Sequence, residues 1–155
     1  MAIRTIRIMG DTCLEKKCKP IREMTPRIRE LIEDMYETMY EAHGVGLAAP
    51  QVGVLKRVVV IDVMDGNPLT LINPEIIYEG GEQIDDEGCL SVPGKTAPVK
   101  RPMYVHCCAF NENMEEFVVE AEGLLARAIC HELDHLDGVL YAARAMGALR
   151  DVEEE

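Results

Sequence analysis

The chain has 155 residues, of which 48% are hydrophobic, and its 16 Lys and Arg against 28 Asp and Glu give a formal net charge of −12. This length suits one domain that buries its core without disulfide staples, and the apolar content argues against a disordered chain. The negative charge argues against nucleic acid or anionic membrane as the main partner, because both are polyanions. No segment approaches the roughly 20 apolar residues of a membrane span.

Cysteine usage points to a reducing compartment. The six cysteines, at positions 13, 18, 89, 107, 108 and 130, could in principle form three disulfides. The N-terminus, however, alternates apolar and polar residues and has no apolar run of signal-peptide length. We therefore expect a cytoplasmic protein with free thiols, at least one of which has a chemical role.

The first strong element is a predicted helix over residues 25–43. Thr25 can cap it, and Pro26 suits the first helical position, where its missing N–H needs no partner. Apolar residues recur at helical spacing, and Gly44 is a natural stop. We expect this helix to pack its apolar face on the core.

A β-rich middle follows, with strands predicted over 57–63, 69–73, 75–79, 103–110 and 116–120 and with turn signals such as Asn73-Pro74 and Pro93-Gly94 between them. Short connections favour antiparallel pairing. A second helix is predicted over 121–136, ended by Gly138. The pattern predicts an α+β fold with one catalytic domain over 1–150 and a frayed acidic tail over 151–155.

The second predicted helix carries the sequence His131-Glu132-Leu133-Asp134-His135. Two histidines four positions apart lie on one helical face, so both rings can reach one cation. The intervening Glu132 is placed to contact a water that the metal activates, without being a ligand. The alternative is a salt-bridged helix whose histidines belong to the core.

A catalytic metal of this kind needs a third protein ligand and an open position. A histidine six residues after His135 is ruled out, because that position is Tyr141, and the Glu residues after it lie at the extreme end. His43, His106 and the thiolate of Cys89 stay open as the third ligand. Cys89 alone would more commonly be a small buried hydrophobic residue.

A third segment, GVGLAAPQ at 44–51, is small and apolar and ends in one amide. Glycine and alanine let a backbone approach a ligand closely, and Gln51 offers both a donor and an acceptor. A tight connection between a helix and a strand would explain the segment equally well.

Together, GVGLAAPQ at 44–51, EGCLSV at 87–92 and HELDHLDG at 131–138 resemble the three motifs of the peptide deformylase family, in the same order. The resemblance covers essentially the whole chain. It implies antiparallel sheets packed around a central helix that carries the two histidines, and an enzyme that removes the formyl group from formyl-methionine at the start of new polypeptides and releases formate.

The resemblance also implies the site residues. Cys89, His131 and His135 would bind one divalent metal, Fe(II) first, with Zn, Ni or Co as alternatives. Glu132 would be the general base, and Gln51 with the backbone N–H of Leu90 would stabilise the oxyanion. The residues implied to contact the substrate are Val45, Gly46, Gly88, Ala128 and Ile129.

The implied partners are a formyl-methionyl peptide and, transiently, the ribosome, with neither nucleic acid nor membrane bound. Some relatives carry a basic C-terminal helix that helps docking on the ribosome, and no such segment follows Gly138 here. Cys130 stands where many relatives have Gln. Two competing hypotheses are another metallopeptidase of the His-Glu-x-x-His type and a non-catalytic formyl-peptide binder.

Overall fold

A computed structural model describes residues 2–152. It contains two α-helices, α1 (Pro26–Glu41) and α2 (Gly123–Leu136), and short 3₁₀ turns at Thr12–Glu15, Ala49–Val52 and Tyr141–Arg144. The strands are β1 (Gly46–Ala48), β2 (Val58–Ile61), β3 (Leu69–Gly80), β4 (Gln83–Cys89), β5 (Val92–Arg101), β6 (Tyr104–Phe110), β7 (Glu116–Glu122) and β8 (Arg150–Asp151). The predicted α+β fold is confirmed.

The strands form two sheets, one with the order β1-β2-β3-β6-β7 and one with the order β4-β5-β8, and all neighbouring strands are antiparallel. Helix α2 contacts strands of both sheets. Its buried residues join the main hydrophobic core with the inner faces of β2, β3 and β6. No helix in residues 2–152 is long and apolar enough to cross a membrane.

Helix α1 begins as predicted and ends differently. The Ile28 N–H donates to Thr25 Oγ1 at 3.3 Å, and Pro26 occupies the first turn. The helix ends at Glu41, and the residue with left-handed backbone is His43, at φ 58°, rather than Gly44. The small size of Gly44 serves another purpose, because a Cβ there would lie 2.6 Å from Leu90 Cδ1.

The prediction of two strands over 69–73 and 75–79 is wrong, because both belong to β3. The turn signal Asn73-Pro74 forms an irregularity within the strand, where the register against β6 shifts between Ile72 and Glu75. Asn73 adopts φ 51°, and its side chain exchanges hydrogen bonds of 2.8 and 2.7 Å with the backbone of Ile21. A distant partner therefore replaces the turn that the dipeptide alone favours.

Strands β4 and β5 were not predicted. The charged residues before Gly88 gave no strand pattern for β4. The dipeptide Pro93-Gly94 indicated a turn, although it lies within β5. Opposite Gly88 the register shifts, so that Cys89 pairs with Val92 but Glu87 pairs with Ala97. The extra residues bulge from β5, and Gly94 has the φ of +74° that this bulge requires.

The C-terminal segment is more ordered than predicted. Arg150 and Asp151 form β8 against β5, so the expectation of a frayed end from Asp151 onward is corrected at that residue. The strand crosses the predicted boundary between domain and tail, and positions 153–155 lie outside the described residues. At the end of α2, Gly138 takes φ +77° as its predicted stopping role requires.

Candidate metal centre

Three potential metal donors meet where β4 ends against α2. The ligand atoms of Cys89, His131 and His135 all lie within 4.8 Å of one another, and Cys89 Sγ is 3.3 Å from His135 Nε2. Within the described part of the chain, no other group of three such side chains converges in this way. All six cysteines are free thiols, so the Cys89 sulfur is available as a ligand.

The other open candidates for third ligand lie elsewhere. His106 packs against Tyr78 at a tilt, with ring centroids 4.8 Å apart, and His43 lines the cavity described below without joining the group of three donors. Tyr141 is buried against His131, with ring centroids 5.9 Å apart. Among the options that the sequence left open, the geometry therefore selects the thiol.

The donor set fits a catalytic divalent metal. Two imidazoles and a thiolate suit Fe, Zn, Ni and Co, and three protein ligands leave a position for water or substrate. Burial lowers the pKa of His135 to about 3, so its ring is neutral, which is the state that a ligand needs. Burial would lower the pKa of His131 as well, but its hydrogen bonds to Cys89 and Glu87 outweigh burial and hold the pKa at about 10, so this ring must release a proton when it binds a metal.

A buried carboxylate orients the first histidine. Glu87 Oε1 lies 2.8 Å from His131 Nδ1, so the other ring nitrogen is left for the metal. Arg101 binds the same carboxylate through two hydrogen bonds of 2.8 and 3.0 Å. Burial alone would raise the pKa of Glu87, but the hydrogen bonds from His131 and Arg101 outweigh it and hold the pKa at about 2.

Arg127 is a second cation on Glu87. Its Nη1 donates to the Glu87 carboxylate and also to the carbonyl of Val99 at 3.0 Å and that of Asp85 at 3.3 Å. The guanidinium therefore joins α2 to both β4 and β5. Sequence reasoning assigned no role to Glu87, Arg101 or Arg127, although a carboxylate two residues before a candidate ligand was a usable signal.

Glu132 lies beside the three donors and is 4% exposed. Its Oε1 is shielded from solvent and has no hydrogen-bond partner within residues 2–152, so this carboxylate can take up a proton without losing a contact. Burial raises the pKa of this carboxyl to about 7. Gly46 makes the close approach possible, because a Cβ there would lie 2.6 Å from Glu132 Oε2.

The side chain of Gln51 is fixed with its amide nitrogen toward the donors. Its Oε1 accepts from the Ala48 N–H at 2.9 Å. Its Nε2 donates to Ser91 Oγ at 3.0 Å and lies 3.6 Å from Cys89 Sγ. Ser91 is fully buried and was not predicted as a site residue. The predicted oxyanion donor is thus held in place by two neutral hydrogen bonds.

A cavity of about 510 Å³ opens beside these groups. The predicted site residues that line it are Val45, Gly46, Gln51, Gly88, Cys89, Leu90, Ala128, His131 and Glu132. Ile129 and His135 do not line it, because both are buried; Ile129 points into the hydrophobic core. Successive helical residues point about 100° apart, so the apolar part of the α2 wall is formed instead by Leu124 and Ala128, which are one turn apart.

The sequence profile of the polypeptide deformylase family matches residues 3–150. The chain belongs to the peptide deformylase family. The peptide deformylase of Agathobacter rectalis is 62% identical over 155 residues, which is 100% of this chain and 98% of the relative. The deformylase of Lachnoclostridium phytofermentans is also 62% identical, over 98% of this chain and 94% of its own.

Solved structures agree with this assignment. The crystal structure of the Thermotoga maritima peptide deformylase matches with a TM-score of 0.90 and 40% identity, over 94% of this chain and 99% of that one. The Synechococcus elongatus deformylase in complex with actinonin matches with a TM-score of 0.88 and 43% identity, over 92% and 78%. Peptide deformylases are metal-dependent hydrolases that remove the N-formyl group from new peptides, so the predicted enzyme class and reaction are confirmed.

Proposed function

We propose that this deformylase uses Cys89, His131 and His135 to bind one divalent metal, natively Fe(II), with Zn, Ni or Co able to replace it. Residues 1–150 are the proposed catalytic domain, and its free thiols favour a reducing, cytoplasmic setting. The observation that carries the proposal is that three donors lie within 4.8 Å of one another beside a cavity that Cys89, His131, the Glu132 carboxylate and the Gln51 amide all line.

A bound divalent metal supplies a Lewis acid that polarises the formyl carbonyl and lowers the pKa of water. The Glu132 carboxylate takes the proton of the attacking water and passes it to the leaving amine. As the formyl oxygen becomes an oxyanion, Gln51 Nε2 and the backbone N–H of Leu90 donate hydrogen bonds to it. Because Ser91 and Ala48 fix the Gln51 amide, little reorganisation is needed at that moment.

The backbones of Val45, Gly46 and Gly88 are proposed to pair with the extended substrate, since they line opposite sides of the cavity. The methionine side chain would lie against Val45, Leu124 and Ala128. Leu124 replaces Ile129 in this role, because its side chain is exposed at the cavity and that of Ile129 is not.

The direct assay is formate release from formyl-Met-Ala-Ser by anaerobic enzyme loaded with Fe(II) or Ni(II). We expect turnover by the parent enzyme and a loss of about 10²–10⁴-fold in kcat for Glu132→Ala, with the metal retained. Glu30→Ala, an exposed change of the same type on α1, is the control and should keep full activity. Absence of formate release with metal bound would overturn the proposal, and loss of metal from Glu132→Ala would overturn the role of Glu132 as base.

The metal assignment has a separate test. Cys89→Ala should lose metal affinity, whereas Cys108→Ala, which changes a half-buried thiol outside the donor group, should not. Metal analysis of anaerobically purified protein should find iron. Air should inactivate the Fe(II) form, and Zn should give a stable, slower enzyme. An iron enzyme indifferent to oxygen would contradict the assignment of Fe(II).

We also propose that contact with the ribosome is transient. The substrate emerges there, but a chain with a net charge of −12 is repelled by RNA. Co-sedimentation with ribosomes carrying a formylated nascent chain should depend on that chain and be absent with empty ribosomes. Equal binding to both would contradict the proposal.

A further inference from the structure

Two exposed charged side chains of opposite sign line the cavity. Asp86 on β4 and Lys95 on β5 are both part of its wall, and their side chains are 52% and 45% exposed. The other charged wall residues from α2 and β4, such as Glu87 and Glu132, are buried. Asp86 and Lys95 are therefore positioned to meet the solvent-facing part of a bound peptide.

The C-terminal strand β8 supplies a counter-charge to each of them. Arg150 Nη2 lies 2.6 Å from Asp86 Oδ1, and Asp151 forms an ion pair with Lys95. The backbone fixes this arrangement, because Lys95 pairs with Asp151 in the strand register and the Val152 N–H donates to the Gly94 carbonyl at 2.9 Å.

The same strand supports the bulged part of β5. The bulge lies opposite Gly88, where a Cβ would come 3.4 Å from the Lys95 carbonyl oxygen. Gly88 is a proposed pairing position for the substrate. With the substrate paired at Gly88 as proposed, the residues after its methionine would pass Asp86 and Lys95, which line the same cavity.

We propose that Arg150 and Asp151 are specificity-determining residues, which neutralise Asp86 and Lys95 and so keep the cleft indifferent to the charge of the residue that follows formyl-methionine. Asp86 and Lys95 are called the rim charges. Without its partner, a rim charge would act on a charged substrate within the Debye length of about 10 Å at 0.1 M salt. Freed Asp86 would favour a basic residue, and freed Lys95 an acidic one. The inference rests on the proposed placement of the substrate.

The test compares kcat/KM for formyl-Met-Lys-Ser and formyl-Met-Glu-Ser at low salt, with formyl-Met-Ala-Ser as reference. Relative to the parent enzyme, Arg150→Gln should raise the Lys-to-Glu ratio about two- to fivefold, and Asp151→Asn should lower it by a similar factor, since exposed charge interactions are of this size. Both shifts should disappear at 0.5 M NaCl, a condition chosen to screen the charges.

Matched controls come from a second exposed ion pair, between Lys100 of β5 and Glu82 just before β4. Lys100 Nζ lies 3.0 Å from Glu82 Oε1 in an exposed ion pair, and neither residue lines the cavity. Lys100→Gln and Glu82→Gln change the net charge by the same amounts as the two rim variants and should leave the ratio unchanged. Arg150→Lys keeps the charge and should retain the parent ratio.

The possible outcomes distinguish a failure of the charge inference from a failure of the proposed function. If the Lys-to-Glu ratio of kcat/KM shifted equally in the control variants and in the Arg150 and Asp151 variants, net charge alone would explain the effect and the inference would be overturned. An unchanged ratio in active Arg150 and Asp151 variants would also overturn it. If kcat/KM fell by the same factor on all three peptides while thermal unfolding stayed unchanged, β8 would only support the shape of the cavity wall, and the proposed charge role would be overturned. If the metal-loaded parent released no formate from any peptide, the proposed function itself would fail.

Discussion

Asp86 and Glu87 are neighbours on β4, and each carboxylate binds an arginine, but their surroundings differ completely. The Asp86 side chain is 52% exposed and has Arg150 as its partner, whereas that of Glu87 is 4% exposed and contacts Arg101, Arg127 and His131. Exposed pairs contribute little to stability, while a buried group that loses its partner carries the full cost of desolvation. The buried carboxylate of Glu87 fixes the ring of His131, a proposed metal ligand, whereas the exposed carboxylate of Asp86 lies at the wall of the cavity.

Asp134 combines both situations in one side chain. Its Oδ2 accepts from Arg101 Nη1 at 2.8 Å, and the Arg101 side chain is 4% exposed. The same carboxylate also binds Arg144, whose side chain is 50% exposed, at 2.7 Å. The two contacts have similar distances, but we expect the buried contact with Arg101 to contribute more to the free energy of unfolding than the exposed contact with Arg144.

The largest expected effect is that of Glu87→Ala on stability. The change leaves Arg101 and Arg127 buried without their shared carboxylate, which should lower the free energy of unfolding by about 3–5 kcal/mol. Asp86→Ala, one position away, should cost less than about 1 kcal/mol. Urea denaturation of the metal-free proteins measures both free energies of unfolding. Equal losses would contradict the expected difference between the buried Glu87 and the exposed Asp86.

The next effect concerns metal affinity. Glu87→Gln keeps the shape of the side chain but removes the charge that holds His131, so we expect a metal affinity about 10–100-fold lower. Competition with a chelator measures it. Asp86→Asn makes the same chemical change on the exposed side of β4, and an equal loss there would show that Glu87 does not act through His131.

A buried but neutral contact should have an intermediate effect. Ser91→Ala removes the 3.0 Å hydrogen bond that orients Gln51, worth about 1 kcal/mol, and should lower kcat about three- to tenfold. The bound metal should not change, because Ser91 is not a donor. Parallel measurement of kcat and metal content checks this, and loss of metal would contradict the assigned role of Ser91.

The smallest effect is expected at the exposed side of Asp134. Arg144→Ala should lower the free energy of unfolding by less than about 1 kcal/mol and less still in high salt. Arg101→Ala breaks the buried contact with the same carboxylate and should cost several times more. Denaturation at two salt concentrations tests the pair of variants, and similar costs would refute the distinction by burial.

The sequence predicted the two helices and the three motif segments well, because these depend on local regularities. Helical spacing alone places His131 and His135 on one face, and Thr25 with Pro26 marks the start of a helix in any context. The prediction failed where a distant residue overrides a local preference. Asn73 is the clearest case, since its contact with Ile21 keeps a turn dipeptide inside a strand.

The residues of the site were predicted in type and only partly in arrangement. Ile129 was assigned to the substrate pocket, but its side chain is buried in the core, and Leu124 and Ala128 of the same helix line the cavity instead. Periodicity identifies an apolar face without saying what covers it. The resemblance to deformylases named the candidate ligands, and the fold places their donor atoms within 4.8 Å of one another.

By itself, the sequence determined the donor types, the helix that carries two of them, the α+β class and, through its motifs, the family. Those features are encoded by neighbouring residues and by fixed spacings. Only the tertiary structure decided that Glu87 holds His131 across a separation of 44 residues, that Ser91 holds Gln51 across 40, and that β8 meets the rim charges. Such contacts follow from how the two sheets and α2 pack, because no local pattern states which distant side chain will satisfy a buried polar group.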